Sequence, residues 1–141
     1  MLMLSTPIAG WSRIIIGEWS DRCSCVDDVP FLLLEGVEEA LRTGNPVAAK
    51  FDAEGWEYLI VFDHSQTHII TETDDGYSLK TEEISLSDIA RKFISDIRRD
   101  ISQWAAWSVY EDMTPPQIRE RKKDLETLCN IIEKMIAFDR S

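Results

Sequence analysis

The segment from Val47 to Ile84 constrains the fold of this chain more than any other. Apolar and polar residues alternate in short runs, and turns rich in Asp and Gly separate the runs. A period of two is typical of β-strands that bury one face. The segment therefore predicts an antiparallel β-meander. A β-branched and aromatic run at Arg13–Trp19 predicts a further strand, with Gly17 as a bulge, so that about four to five strands are expected.

The turn sequences predict how the meander strands pair. Asp74-Asp75-Gly76 suits a three-residue loop with glycine in the left-handed conformation. A four-residue loop is expected at 52–55. The pairs expected from the three hairpins are, in chain order, Phe51–Trp56, Asp63–His68 and Thr71–Leu79.

This register sorts the side chains onto two faces of the sheet. One is almost wholly apolar or aromatic and is the expected core face: Val47, Ala49, Phe51, Trp56, Tyr58, Ile60, Phe62, Ile69, Tyr77 and Leu79. The other has a small aliphatic centre in a mostly acidic frame: Lys50, Glu57, Leu59, Val61, Asp63, His68, Ile70, Glu72, Ser78 and Lys80. Two alternatives stay open for this second face. Either the helix Phe31–Leu41 or the N-terminal strand covers it, or it faces a partner.

Three helices are predicted around the meander. Apolar residues recur at helical spacing over Phe31–Leu41, and Asp28 is the predicted N-cap. Two long amphipathic helices follow, the first capped by Ser85 or Ser87 and the second opened by Thr114 with Gln117 three residues later. Because both are apolar on one side, they are expected to pack as an antiparallel pair over the core face. The predicted fold is a single α+β domain over residues 1–141.

The balance of charge narrows the class of partner. The net charge is -11, from 26 acidic and 15 basic residues. A nucleic-acid-binding protein needs a positive surface, so this class is disfavoured, whereas a basic protein partner is favoured. No run is long enough to cross a membrane, and the apolar residues 1–16 lack a basic start and contain Pro7 and Gly10. Cys23, Cys25 and Cys129 are expected to be free thiols, and the expected location is the cytoplasm.

The residues that usually perform catalysis or bind metals form no recognisable motif. His64 and His68 are expected on opposite faces and have no third ligand within reach, so no metal site is predicted. No nucleophile motif or phosphate-binding glycine loop occurs, so neither enzymatic activity nor a cofactor is predicted. The basic run Arg119–Lys123 indicates a solvated helix face. Trp107 is expected in the core or at a hinge, with a partner-anchoring role as the alternative.

The meander FDAEGWEYLIVFDHSQTHIITE, followed by the helix SLSDIARKFISDIRRDISQWAAW, resembles the small acidic immunity proteins of bacterial polymorphic toxin and contact-dependent inhibition systems. The resemblance implies a non-enzymatic protein that binds and neutralises a cognate toxin, often a basic nuclease. From the charges on the second face and its turns, the expected partner contacts are Glu57, Asp63, Glu72, Asp74 and Asp75.

Two other classes remain as alternatives. Small acidic α+β dimers that act as secretion chaperones or adaptors, and hold an extended segment, fit the same size and charge. A small-ligand domain or an enzyme of unrecognised class is the third, and a pocket with convergent polar groups would favour it.

Overall fold

A computed structural model describes residues 1–107 and 112–139, with only the backbone of Asp139. In chain order the elements are β1 Leu2–Leu4, β2 Trp11–Ile16, β3 Trp19–Ser24, α1 Val29–Thr43, β4 Val47–Asp52, β5 Glu57–Phe62, β6 Thr67–Thr73, β7 Gly76–Glu82, α2 Leu86–Arg99, α3 Ile101–Ala105 and α4 Pro115–Asp139. The strands form two antiparallel sheets, with strand orders β1-β2-β3 and β4-β5-β6-β7. The predicted α+β class is confirmed.

The N-terminal segment forms a hairpin rather than one bulged strand. Ile16 pairs with Trp19, so Gly17 and Glu18 make a two-residue turn between β2 and β3. Gly17 has a φ of 63°, which glycine adopts at little cost. The turn reaches the end of β7, where the Glu18 amide donates to the Glu82 carboxylate at 3.0 Å. The small sheet is thereby attached to the meander.

Helix α1 packs on the core face of the meander. A Cβ on Gly36 would lie 2.8 Å from the ring of Phe62 and 3.9 Å from Cβ of Ala49, so the helix approaches the sheet closely at this point. Asp28 occupies the N-cap position, but its side chain makes no capping hydrogen bond. It accepts hydrogen bonds from Arg121 of α4 instead.

The other helices pack mainly on α1 and on the small sheet. Helix α2 contacts α1 and β1, and α4 lies against α1, α2 and α3. The buried carboxylate of Asp96 in α2 accepts the Leu4 amide of β1 at 2.8 Å. The order of layers therefore differs from the prediction, in which the two C-terminal helices covered the meander directly.

The helix boundaries match the capping signals, with one interruption. The Ser85 hydroxyl accepts the Asp88 amide at 3.2 Å, and Thr114 and Gln117 form a reciprocal capping box. Helix α2 ends before Asp100, whose φ of -118° and ψ of 33° interrupt the single helix that was predicted. Trp107 is 4% exposed and donates its indole N–H to the Asp27 carbonyl at 2.7 Å. It is therefore a core residue, as the first of its two predicted roles required.

The register of the meander differs from the predicted one at each hairpin. The pairs that close the three loops are Asp52–Glu57, Phe62–Thr67 and Thr73–Gly76. The first two loops have the predicted four residues but are displaced by one position, so partners change while faces stay the same. The third loop is Asp74-Asp75, two residues rather than three. This change moves the side chains of β7 to the opposite face, so Tyr77 and Leu79 leave the core face and Ser78 and Lys80 take their place.

Candidate functional site

The face of the meander opposite α1 is the candidate site, and we call it the open face. The strand register arranges its side chains in three rows from β4 to β7: Asp52, Glu57, Glu72, Tyr77; Lys50, Leu59, Ile70, Leu79; and Ala48, Val61, His68, Thr81. Tyr77 is 76% exposed and Leu79 is 67% exposed.

Neither of the elements expected to cover the open face does so. Helix α1 packs on the other face, through Gly36. The β2–β3 hairpin also contacts that other face, where Lys80 lies 3.2 Å from Glu18 and the rings of Trp19 and Tyr58 are 5.1 Å apart. The alternative in which helix Phe31–Leu41 or the N-terminal strand covered the acidic face is therefore wrong.

The first row concentrates negative charge. Glu57 and Glu72 are directly opposed on neighbouring strands, a pairing that is destabilising unless a cation compensates it. Lys50 supplies that cation, with its ammonium 2.9 Å from the Glu57 carboxylate. The hydrogen bond and the charge of Glu57 raise the pKa of Lys50, with further contributions from Glu72 and Asp52. Lys50 is therefore held as a cation at the edge of the acidic row.

Four of the five predicted contact residues come together at this end of the sheet. Glu57 and Glu72 belong to the first row, and Asp74 and Asp75 form the adjoining β6–β7 turn. Asp63 lies at the opposite end, in the β5–β6 loop, where its carboxylate accepts the His64 amide at 2.8 Å. Asp63 is therefore separated from the other four, and a partner that contacts all five residues has to span the length of the strands.

The two histidines are also separated. His64 belongs to the β5–β6 loop, and its carbonyl accepts the Leu86 amide. His68 is opposite Val61 rather than Asp63, and its Nδ1 lies 2.9 Å from the Thr81 hydroxyl. Among the residues that the structure describes, no three His, Cys, Asp or Glu side chains are placed to hold a metal ion.

Two shallow hollows adjoin the acidic row. One has a volume of about 170 Å³ and is lined by Lys50, Glu57, Tyr58, Leu59, Ile70, Glu72 and Tyr77. The other has a volume of about 260 Å³ and is lined by Gly55, Trp56, Glu57, Glu72, Thr73 and Asp74. Both are smaller than the ~300–1,000 Å³ typical of small-molecule sites.

Two aromatic residues lie beside these carboxylates, and one of them departs from the sequence prediction. Trp56 lies in the β4–β5 loop and packs, partly buried, against the core, as expected. Its indole N–H donates to Asp21 at 2.8 Å, and the Arg22 guanidinium lies 4.4 Å from its ring centroid. Tyr77, expected on the core face, lies on the open face because the β6–β7 loop has two residues, and its hydroxyl donates to Glu72 at 3.3 Å. The signal for Tyr77 in the sequence is its place directly after the turn residue Gly76.

Two other hollows offer less chemistry. A hollow of about 560 Å³ between α1 and α4 is lined by Leu41, Ile131, Lys134, Met135 and Phe138, which include a single charged side chain. A hollow of about 340 Å³ near Cys25 and Trp107 has Gln103 as its polar side chain besides the Cys25 thiol and the Trp107 indole. Neither brings together the set of polar groups that a catalytic site uses.

The cysteines are free, as predicted. Burial raises the pKa of Cys23 to about 12 and that of Cys129 to about 11. Thiols that stay protonated at neutral pH are poor nucleophiles and poor metal ligands. These two cysteines therefore serve as core residues.

The basic run of α4 is only partly solvated. Arg121 and Lys122 are partly buried, and the guanidinium of Arg121 forms two hydrogen bonds with the Asp28 carboxylate, at 2.9 and 2.8 Å. Arg121 also donates to the Ala105 carbonyl at 2.9 Å and lies 4.9 Å from the ring centroid of Phe31.

Among the helices described, none combines the length and apolar character needed to cross a membrane.

Comparison of the chain with protein-family models, with curated proteins and with solved structures finds no match.

Proposed function

We propose that this chain is a non-enzymatic binding protein that holds a basic protein partner on its open face. We propose further that the partner is a toxin, which the chain neutralises in the cytoplasm as an immunity protein. The observation that carries the proposal is an acidic row and an acidic turn beside an apolar row, half-buried at Leu59 and Ile70 and exposed at Leu79, on one uncovered sheet face.

The composition of the open face supports a protein partner. Leu59, Ile70 and Leu79 form a continuous apolar row across three strands. A protein interface typically has an apolar centre within a polar rim, and exposed aromatic residues such as Tyr77 often contribute much of its binding energy. The carboxylates at one end supply the charge complementarity that speeds association with a basic surface.

The toxin assignment comes from the resemblance to immunity proteins together with the charge. A nuclease presents a positive surface to its phosphate substrate, and acidic side chains can occupy that surface in place of phosphate. The net charge of -11 favours encounter with such a partner. An adjacent gene for a large toxin would be the simplest genetic support.

One observation favours the secretion-chaperone alternative. Strand β7 is at the edge of the sheet, and its residues 76–81 are exposed. An extended segment of a secreted protein could pair with this edge through main-chain hydrogen bonds. Binding of that kind would depend little on Glu72, Asp74 and Asp75, so the two functions separate by mutation.

The test begins with affinity capture of the partner from the source cell and its identification by mass spectrometry. The Glu72→Lys, Asp74→Lys, Asp75→Lys triple variant is then compared with the wild-type chain by stopped-flow or surface-plasmon measurements across a salt series. We expect slower association, weaker binding and a flatter salt dependence, because the reversed charges remove the electrostatic attraction.

A matched control separates the open face from the total charge. Glu39→Lys, Glu120→Lys, Glu126→Lys changes the net charge equally, but at exposed positions of α1 and α4. We expect this control to bind nearly as tightly as the wild type. Equal losses in the two triple variants, or unchanged binding by the open-face variant with an unchanged melting temperature, would contradict the assigned surface.

A further inference from the structure

The hollow of about 170 Å³ on the open face combines three features that suit a long cationic side chain. Leu59 and Ile70 are paired across β5 and β6 and line it with apolar surface. The exposed ring of Tyr77 lines it from β7, and the carboxylates of Glu57 and Glu72 lie at its acidic end. A long side chain with a charged head contacts apolar surface through its stem, and it contacts an aromatic ring and a carboxylate through its head.

The charges around this hollow do not balance. Glu57 is paired with Lys50 at 2.9 Å. Within the described parts of the chain, the Glu72 carboxylate accepts a hydrogen bond only from the neutral Tyr77 hydroxyl, at 3.3 Å, and it forms no ion pair. Lys50, Glu57 and Glu72 together leave one net negative charge, located on the side of Tyr77. The hollow is therefore complementary to a single cation.

We infer that the hollow receives one arginine side chain of the partner. This inference rests on the proposed function, because the arginine belongs to the basic protein that docks on the open face. Its methylene stem lies over Leu59 and Ile70, its guanidinium stacks on the ring of Tyr77, and its N–H groups donate to the Glu72 carboxylate. The already paired Lys50 fixes the direction of the arginine by occupying Glu57.

The geometry favours arginine over lysine. A guanidinium is planar, so it can stack on Tyr77 and present two N–H groups to Glu72 together. An ammonium is a compact and strongly hydrated charge that matches only one of these surfaces well. The small volume of the hollow also admits one side chain rather than a larger ligand.

The inference can be tested without the partner. The full-length ¹⁵N-labelled chain is titrated with N-acetylarginine N-methylamide and, in parallel, with the citrulline analogue, which has nearly the same shape but no charge. We expect saturable amide shifts centred on Leu59, Ile70 and Tyr77 with the arginine compound, and shifts at least several-fold smaller with citrulline. The amide shifts caused by the corresponding lysine compound should be intermediate between those caused by the arginine and citrulline compounds.

Two variants check the assignment of Glu72 and Tyr77. Glu72→Gln keeps an acceptor for the Tyr77 hydroxyl but removes the charge, and Tyr77→Leu removes the ring. Each should weaken the response to arginine several-fold, whereas Glu39→Gln on α1 should leave it unchanged. Equal shifts with citrulline, shifts centred elsewhere, or a full response in Glu72→Gln with an unchanged melting temperature would overturn the inference.

The result also separates this inference from the proposed function. If the captured partner is lost in the open-face triple variant while the arginine compound causes no shift at the hollow, the arginine site is wrong and the binding surface stands. If the arginine compound binds as expected but no partner depends on the open face, the site stands and the proposed function fails.

Discussion

Arg121 shows how a residue in a charged run can be structural. Its neighbours in α4 include exposed Arg119 and Lys123, and helical spacing gives no sign that one member turns inward. The deciding partner, Asp28, is 93 positions away in the chain. A contact over that distance is set by how α4 lies on α1, so local sequence patterns could not reveal it.

The first prediction concerns this ion pair. Arg121→Ala removes two hydrogen bonds to a carboxylate and one to the Ala105 carbonyl, and leaves Asp28 in a half-buried site. We expect a loss of about 1–3 kcal/mol in the free energy of unfolding, measured by urea denaturation. Arg121→Lys should recover only part of this, because an ammonium cannot reproduce the two-pronged contact.

Arg119→Ala is the matched control for Arg121. Arg119 is exposed in the same helix, and a surface substitution of this kind changes stability by about 0.5 kcal/mol or less. Equal effects at the two positions would show that the Arg121–Asp28 contact does not stabilise the fold.

The second prediction concerns Asp27 and pH. Burial raises the pKa of Asp27, and the charges of Asp52 and Glu57 act in the same direction, against a hydrogen bond from the Asp52 amide. Folding therefore favours the protonated form. The favourable contribution is present below the ordinary pKa of the group and is lost as pH rises through the raised pKa.

Asp27→Asn removes this dependence. Its amide oxygen can still accept the Asp52 N–H, and it carries no charge to bury. Relative to the wild type, the variant should gain stability as pH rises from strongly acidic towards neutral, with a plateau above the raised pKa of Asp27. Urea denaturation at several pH values measures this gain, and a difference that stays constant across the series would contradict the prediction.

At the scale of the elements, the sequence predicted the meander, the three main helices and their capping residues, but not the register of β7. The alternation of apolar and polar residues indicates which face is buried only where another element covers the sheet. Helix α1 packs against β4 and β5. In β7 both faces are largely exposed, so the pattern Tyr77-Ser78-Leu79-Lys80 no longer indicates which face is the core. The resulting error of one residue hid the aromatic part of the candidate site.

The same limit explains which site residues were found. Glu57 and Glu72 lie on β5 and β6. The displacement of the loop between these strands by one position changes each cross-strand partner by two residues, so every side chain keeps its face. Their place on the acidic face was therefore predictable. The separation of Asp63 from the others depends on which end of a strand each loop adjoins. Face and charge do not distinguish the two ends of a strand, so Asp63 and Glu72 are predicted together.

The third prediction tests the close contact between α1 and the sheet. In Gly36→Ala, the new methyl would lie 2.8 Å from the buried ring of Phe62. Overpacking of this kind costs about 1–3 kcal/mol, which exceeds the helix propensity gain of about 1 kcal/mol. We expect a lower free energy of unfolding.

A double-mutant cycle identifies the cause of that loss. Phe62→Leu destabilises the chain by itself because it removes buried apolar volume, but it also removes the ring that the methyl would contact. Gly36→Ala should therefore cost less in the Phe62→Leu background than in the wild type. Equal costs in both backgrounds would place the strain elsewhere.

At the scale of the whole molecule, the charge that suits a basic partner also opposes the compact state. A net charge of -11 on a chain of 141 residues creates mutual repulsion that folding intensifies. Exposed ion pairs, such as Lys50 with Glu57 and Arg42 with Glu38, offset this repulsion only weakly, because solvent screens them. The uncompensated acidic surface therefore lowers the stability of the chain on its own.

The fourth prediction follows from this opposition. Raising the NaCl concentration shortens the Debye length from about 10 Å at 0.1 M to about 3 Å at 1 M, which screens repulsion across the molecule. We expect the melting temperature to rise along this series in circular dichroism or calorimetry. The Glu39→Lys, Glu120→Lys, Glu126→Lys variant has a smaller net negative charge, so its melting temperature should rise less. If instead the melting temperature of the wild type fell with salt, local ion pairs such as Arg99 with Asp96 and Asp100 would outweigh the repulsion, and the acidic surface would carry no cost in stability.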